Sequence, residues 1–138
     1  MSETRSTLPR PGVDEDTAPF WAACKEHRLI LQTCTQCGHV RYPPRPVCPS
    51  CGSLEAEWIP SAGRGFIYSW VVVYHAAHPA TMTSVPYNLV LVEIEEGVRM
   101  VSNLVGIEST DITPGLEVEV IFDDVSPEVT LPKFRVRA

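Results

Sequence analysis

The chain has 138 residues, 44% of them hydrophobic and 20% charged, with a formal net charge of -6. That length admits one ordinary domain, or one small domain beside a metal-stapled miniature one, and no apolar run approaches the roughly 18–20 residues of a membrane span. The charge is uneven: from Pro60 onward five Lys/Arg stand against ten Asp/Glu, the wrong sign for a nucleic-acid surface.

Residues 1–13 are polar and carry Pro9, Pro11 and Gly12, the composition of an arm. They show no apolar core followed by a small-residue cleavage site, so the cytoplasm is the expected compartment. "DEDTAPFWAACKEH" then offers Asp16 or Thr17 as an N-cap, Pro19 in the first turn and an apolar set of Phe20, Trp21, Ala23 and Cys24. This predicts a short helix over about 19–27.

"RLILQTC" reads as a strand leading into "CTQCGHVRYPPRPVCPSCGS", residues 34–53. After Cys51 the chain reaches Gly63 and Gly65, both turn or bulge residues, with "SAGRG" preceding a strand and so unlike a phosphate loop opening a helix. Five strands follow, over 66–75, 87–96, 98–107, 116–125 and 131–138, with Gly97 as a tight hairpin between the second and third. Five strands with longer connections after the first and around "ESTDITPG" fit a closed OB-fold barrel better than a seven-stranded sandwich.

Four of the five cysteines form two copies of C-x2-C-G, Cys34/Cys37 and Cys48/Cys51. A two-residue gap lets both thiolates of a pair point at one centre, and the following glycine supplies the positive φ of the turn. Two such knuckles make a tetrahedral four-sulfur site with no open position, a structural centre suited to Zn2+; iron would use the same ligands. Disulfides would fit an exported chain instead. The fifth cysteine, Cys24, falls on the apolar side of the helix and reads as a buried, inert thiol.

Chemistry elsewhere is sparse. The sequence contains no G-x-S-x-G elbow, H-E-x-x-H, P-loop or strand-following G-x-G-x-x-G. His75 and His78, with Tyr74 alongside, open a long loop after the first barrel strand and could face a substrate, or be ordinary loop residues. Glu93, Glu95 and Glu96 read as a solvated strand face and turn. Arg28, Arg41 and Arg45 with Tyr42 and Trp58 could form a small stacking surface for a nucleic acid, although the acidic barrel argues against it. No catalytic residue is assigned.

With helix, ribbon and barrel in this order, the chain resembles the rubredoxin-like zinc-ribbon plus OB-fold proteins of acyl-CoA metabolism. The match is carried by "PFW" (19–21), "LILQTCTQCGHVRYPPRPVCPSCGS" (29–53), "EW" (57–58), "GRGFIYSWVVV" (63–73), "PYNLVLVEIEEGVRMVSNLVG" (86–106), "PGLEVEVIF" (114–122) and "LPKF" (131–134). The resemblance implies an N-terminal arm and docking helix over 1–28, a ribbon over 29–59 and an OB-fold domain over 60–138. It implies structural Zn2+ on Cys34, Cys37, Cys48 and Cys51, and an accessory subunit of a thiolase-superfamily enzyme: a thiolase, a 3-hydroxy-3-methylglutaryl-CoA synthase, or a lipid-transfer-protein-like retro-aldolase acting on steroid side-chain CoA thioesters. The partner would supply the nucleophile or base within a hetero-oligomer. Phe20, Trp21, Tyr74, His75 and Tyr87 are then the candidate contacts to partner or acyl-CoA at a shared interface. The reading from a different class is a ribbon/OB module that binds nucleic acid or regulates.

Overall fold

A computed structural model describes residues 11–137. Helix α1 spans Ala18–Lys25, with Thr17 at its N-cap and Pro19 in the first turn, close to expectation. Its end departs from expectation: His27 leaves the helix with φ 58, and the amides of His27 and Arg28 donate to the carbonyls of Cys24 and Ala23, each at 2.9 Å. That is a left-handed helix terminus built without glycine.

Strands β1 (Ile30–Cys34), β2 (Val40–Arg41) and β3 (Ala56–Pro60) form an antiparallel sheet in the order β2-β1-β3. Flanked on both sides, β1 is buried at every position, which is why "ILQTC" reads as a continuous run instead of an alternating one. Strand β3 went unpredicted; Glu57 and the closing Pro60 give it a weak strand signature.

The barrel comprises β4 (Arg64–Val73), β5 (Tyr87–Ile94), β6 (Arg99–Ser102), β7 (Leu104–Val105), β8 (Glu117–Asp124) and β9 (Thr130–Val136), ordered β6-β5-β4-β8-β9-β7. Strands β6 and β7 are two halves of the third expected strand, broken at Asn103, so the sheet has six strands where five were expected. The first half pairs antiparallel with β5, the second runs parallel to β9, and the barrel closes through the break. Asn88 holds it: its side-chain carbonyl accepts from the Leu104 amide and its Nδ2 donates to the Leu104 carbonyl, both at 2.7 Å, while Asn103 Nδ2 donates to the Asn88 carbonyl at 2.6 Å.

The β5–β6 hairpin turns through Glu95, Glu96 and Gly97, a three-residue loop ending in a glycine at φ 93, not through Gly97 alone. At the entry to β4, a Cβ on Gly65 would lie 2.2 Å from the Glu93 carbonyl oxygen, so only glycine admits β5 this close. The glutamates are bonded locally: Glu93 to Arg99, Glu95 to Arg64, and Glu96 to Ser61 Oγ and the Ala62 amide, which ties the hairpin to the segment joining ribbon and barrel.

One buried cluster runs through all three parts. Phe20 and Cys24 of the helix and Leu29 and Leu31 of the ribbon segment join Ile67, Val90, Val92, Met100, Val118 and Phe134 of the barrel. Of the helical segment's residues, His27 adds a lateral tie: its ring stacks on Phe122 at 5.3 Å and its Nε2 lies 3.1 Å from Asp124. No helix among the described residues is long and apolar enough to cross a membrane.

Candidate functional site

The two knuckles are built alike. In each, the amide of the glycine, Gly38 or Gly52, donates to the carbonyl of the first cysteine, Cys34 or Cys48, at 2.9 Å. The same first cysteine's amide donates back to the His39 or Ser53 carbonyl at 2.9 Å, and the glycines sit at φ 78 and 79. Nothing lies within 4 Å of a Cβ built on either glycine, so backbone conformation and not space selects the residue.

The four Sγ atoms of Cys34, Cys37, Cys48 and Cys51 all lie within 4.8 Å of one another. Cys34 and Cys51 are 3.6 Å apart and Cys37 and Cys48 are 3.7 Å apart. A tetrahedron with metal–sulfur arms of ~2.3 Å has sulfur–sulfur edges of about 3.8 Å. A disulfide needs about 2.05 Å, and all five cysteines are free. The cluster therefore has the geometry of a closed four-thiolate metal site. Its electrostatics divide the thiols: at Cys51 the Ser53 N–H pulls down, but the hydrogen bond to Cys34 and desolvation push the thiol up to about 12, while the Cys37 backbone N–H chiefly, with that of Gln36, holds the Cys34 thiol down at about 6 despite desolvation. At Cys48 desolvation pushes up, but the N–H groups of Cys51 and Ser50 outweigh it and the net direction is also down. Cys24 is the opposite case, fully buried and pushed up to about 12 by desolvation, a protonated and inert thiol.

The other predicted contacts are scattered. Phe20 is 2% exposed, and its ring packs edge-on to Trp21 at 5.1 Å and tilted against Tyr42 at 5.5 Å, so it is enclosed by the chain's own core. Trp21 is half-buried beside it. Tyr74, 75% exposed, and Tyr87 line a groove of about 760 Å3 at the barrel mouth, with Val72, Pro86, Leu104 and Ile107. His75 is exposed and outside this groove, while His78 Nδ1 accepts from the Ala80 amide at 3.0 Å and caps a 3-10 turn. Sequence reasoning missed Asn88, Asn103 and Lys133 of the groove; no motif marks them, because their proximity depends on the strand break. Of the supposed stacking surface, Arg41, Tyr42 and Arg45 meet at one cleft between ribbon and hairpin, with Arg41 buried and Tyr42 leaning on Phe20, while Arg28 is bonded to Glu26 outside it and Trp58 packs on the core.

A further surface was hidden in the sequence. On the outside of the barrel, cross-strand rows place Ser69, Leu91 and Val101 side by side, and Val71 next to Leu89. Val71 is 56% and Val101 59% exposed, and Tyr68, displaced outward at a bulge, carries the Arg99 guanidinium 3.8 Å from its ring centroid. Apart from Ser69 and the Glu93–Arg99 pair, this outer face is apolar, as the inner one is.

A ribbon with four converging thiolates followed by a closed Greek-key barrel defines a two-part ribbon/OB protein. Two family models match in the same order, the ChsH2 rubredoxin-like zinc ribbon domain over residues 21–57 and the ChsH2 C-terminal OB-fold domain over 58–123. A DUF35 domain-containing scaffold protein of Pyrococcus furiosus is 35% identical, over 74% of each chain. The chain belongs to this ChsH2/DUF35 family of zinc-ribbon plus OB-fold proteins. A probable enoyl-CoA hydratase alpha subunit of Thermomonospora curvata is 43% identical over 95% of this chain, which spans 40% of that relative's length. Among solved structures, one titled Ltp2-ChsH2(DUF35) aldolase superposes with a TM-score of 0.83 at 42% identity, covering 92% of this chain and 98% of the matched one.

Proposed function

We propose that this chain is an accessory subunit which docks on and stabilises a thiolase-like enzyme acting on acyl-CoA thioesters, in carbon–carbon bond cleavage or formation, and that its four cysteines hold structural Zn2+. The observation that carries the reading is the likeness, over nearly the whole of the matched chain, to one component of a two-protein aldolase. The hydratase alpha subunit among its relatives adds a CoA-thioester setting. A four-thiolate centre leaves no coordination position for substrate, which suits a platform more than a Lewis acid. The exposed apolar face around Val71, Leu89 and Val101 suits burial against that enzyme, since solvated antiparallel sheets ordinarily turn a polar face outward. The cytoplasm, where CoA thioesters are handled, is the compartment of this reading.

The test is co-expression of the tagged chain with thiolase-like proteins from the same genome, with metal analysis and retro-aldol turnover on the purified material. Stoichiometric co-elution, about one zinc per chain, and turnover that needs both components are the expected results. A chain that stays alone with every such protein, or that elutes with nucleic acid in a salt-dependent manner, would overturn the reading.

A further inference from the structure

A second cleft, of about 490 Å3, opens between the ribbon and the β5–β6 hairpin. His39, Arg41 and Arg45 line it from the ribbon, Glu93 and Arg99 from the hairpin. Glu93 and Arg99 pair at 3.1 Å and neutralise each other. Among the described residues, neither Arg41 nor Arg45 has a carboxylate within ion-pair distance. Arg41 is only 4% exposed. Its Nε donates to Gln32 Oε1 at 2.8 Å and its Nη2 to the Arg45 carbonyl at 3.0 Å, while Nη1 is buried with no acceptor. A buried cation held only by neutral oxygens, with one donor unmet, is a costly arrangement, and the charge of an anion at the cleft would offset it.

We propose that this cleft binds a phosphate group, with Arg41 and Arg45 as its two countercharges. Two unpaired guanidinium groups match a doubly charged oxyanion: a phosphate monoester carries about -1.5 to -2 at neutral pH, a carboxylate only -1. Guanidinium forks also fit the paired oxygens of phosphate. Arg41 forms the fixed wall, because Gln32 Oε1 receives both its Nε and the Arg45 amide, each at 2.8 Å, and so sets the register of the "RYPPR" loop. Arg45 is exposed at the mouth and meets the ligand from solvent. The acidic barrel beyond limits the site to a single phosphate group and not a polyanion track. The inference does not depend on the subunit reading.

The experiment is a 1H–15N NMR titration of the full, metal-loaded chain with inorganic phosphate and then pyrophosphate, at pH 7 and constant ionic strength. Saturable shifts at the Val40 and Gly97 amides and at Arg41 Nε–H are expected. Arg45→Ala, at an exposed position, should weaken the apparent affinity at least ~10-fold, and Arg28→Ala, outside the cleft, should leave it unchanged. Shifts that remain linear in ligand, or an equal affinity in Arg45→Ala, would overturn the proposal.

Discussion

Cys51→Ser leaves three thiolates for a site whose sulfurs stand at tetrahedral spacing. Metal binding by ribbon-sized units is worth about 10–16 kcal/mol in apparent free energy, comparable with the total ~5–15 kcal/mol stability of a domain. The variant should purify without stoichiometric metal and lose near-ultraviolet dichroism; retention of one metal per chain would show that the cluster is not the site. One knuckle glycine and one barrel glycine test a subtler term. Gly38→Ala places a side chain at φ 78 with open space around it, so only backbone strain acts, at about 1–2 kcal/mol. Gly65→Ala adds a collision with the β5 backbone and should be the more damaging in a urea titration. The cysteine spacing made the metal site legible in the sequence, because both the ligands and the φ-permissive glycines are local. The cleft arginines were grouped in the sequence only as part of a possible stacking surface; the burial of Arg41 was not legible, because it follows from pairing opposite Gln32 across two strands.

At the scale of elements, the join between α1 and the barrel depends on charge state. Asp124 accepts from Thr130 Oγ1 at 2.5 Å, then from His27, and these bonds hold its carboxyl below the usual carboxylate range. A lowered folded-state value means that the stabilisation is complete above the unfolded carboxyl's ~3.9 and is lost as pH falls through the folded value. Asp124→Asn should therefore lower the urea midpoint by a constant amount from pH 8 to about 5, and the gap to wild type should close only at more acid pH. A gap that changes between pH 8 and 5 would show that the tie does not rest on this carboxyl. The strand break makes a second prediction. Asn88→Ala leaves the Leu104 amide and carbonyl without their buried partners, at a cost of about 3 kcal/mol, measurable as a drop in thermal midpoint. Helix and strands were legible from caps and alternation, yet the break at Asn103 was not, because "RMVSNLVG" reads as one unbroken run. By contrast the alternation of Leu89, Leu91 and Glu93 against Val90, Val92 and Ile94 was legible, and the second set is the buried one; what it did not show is that the outer set joins Val71 and Val101 in one apolar patch.

For the whole molecule, the outward apolar face is where partner binding should be lost first. Val71→Glu or Val101→Glu puts a charge on an already exposed position and should leave the unfolding free energy within about 1 kcal/mol of wild type while abolishing co-elution with the enzyme. A variant that co-elutes normally would move the interface elsewhere on the barrel. This surface lies beyond sequence patterning because it is defined by rows across β4, β5 and β6.

The buried cluster that joins Phe20, Leu31 and Phe134 has a bearing on assembly as well. A ribbon sharing its core with the barrel is not a detachable tag, so heating should give one calorimetric peak whose position follows metal content. Chains synthesised under metal starvation would then fail as complete molecules, and trace-metal nutrition would set a ceiling on how much competent subunit a cell can field.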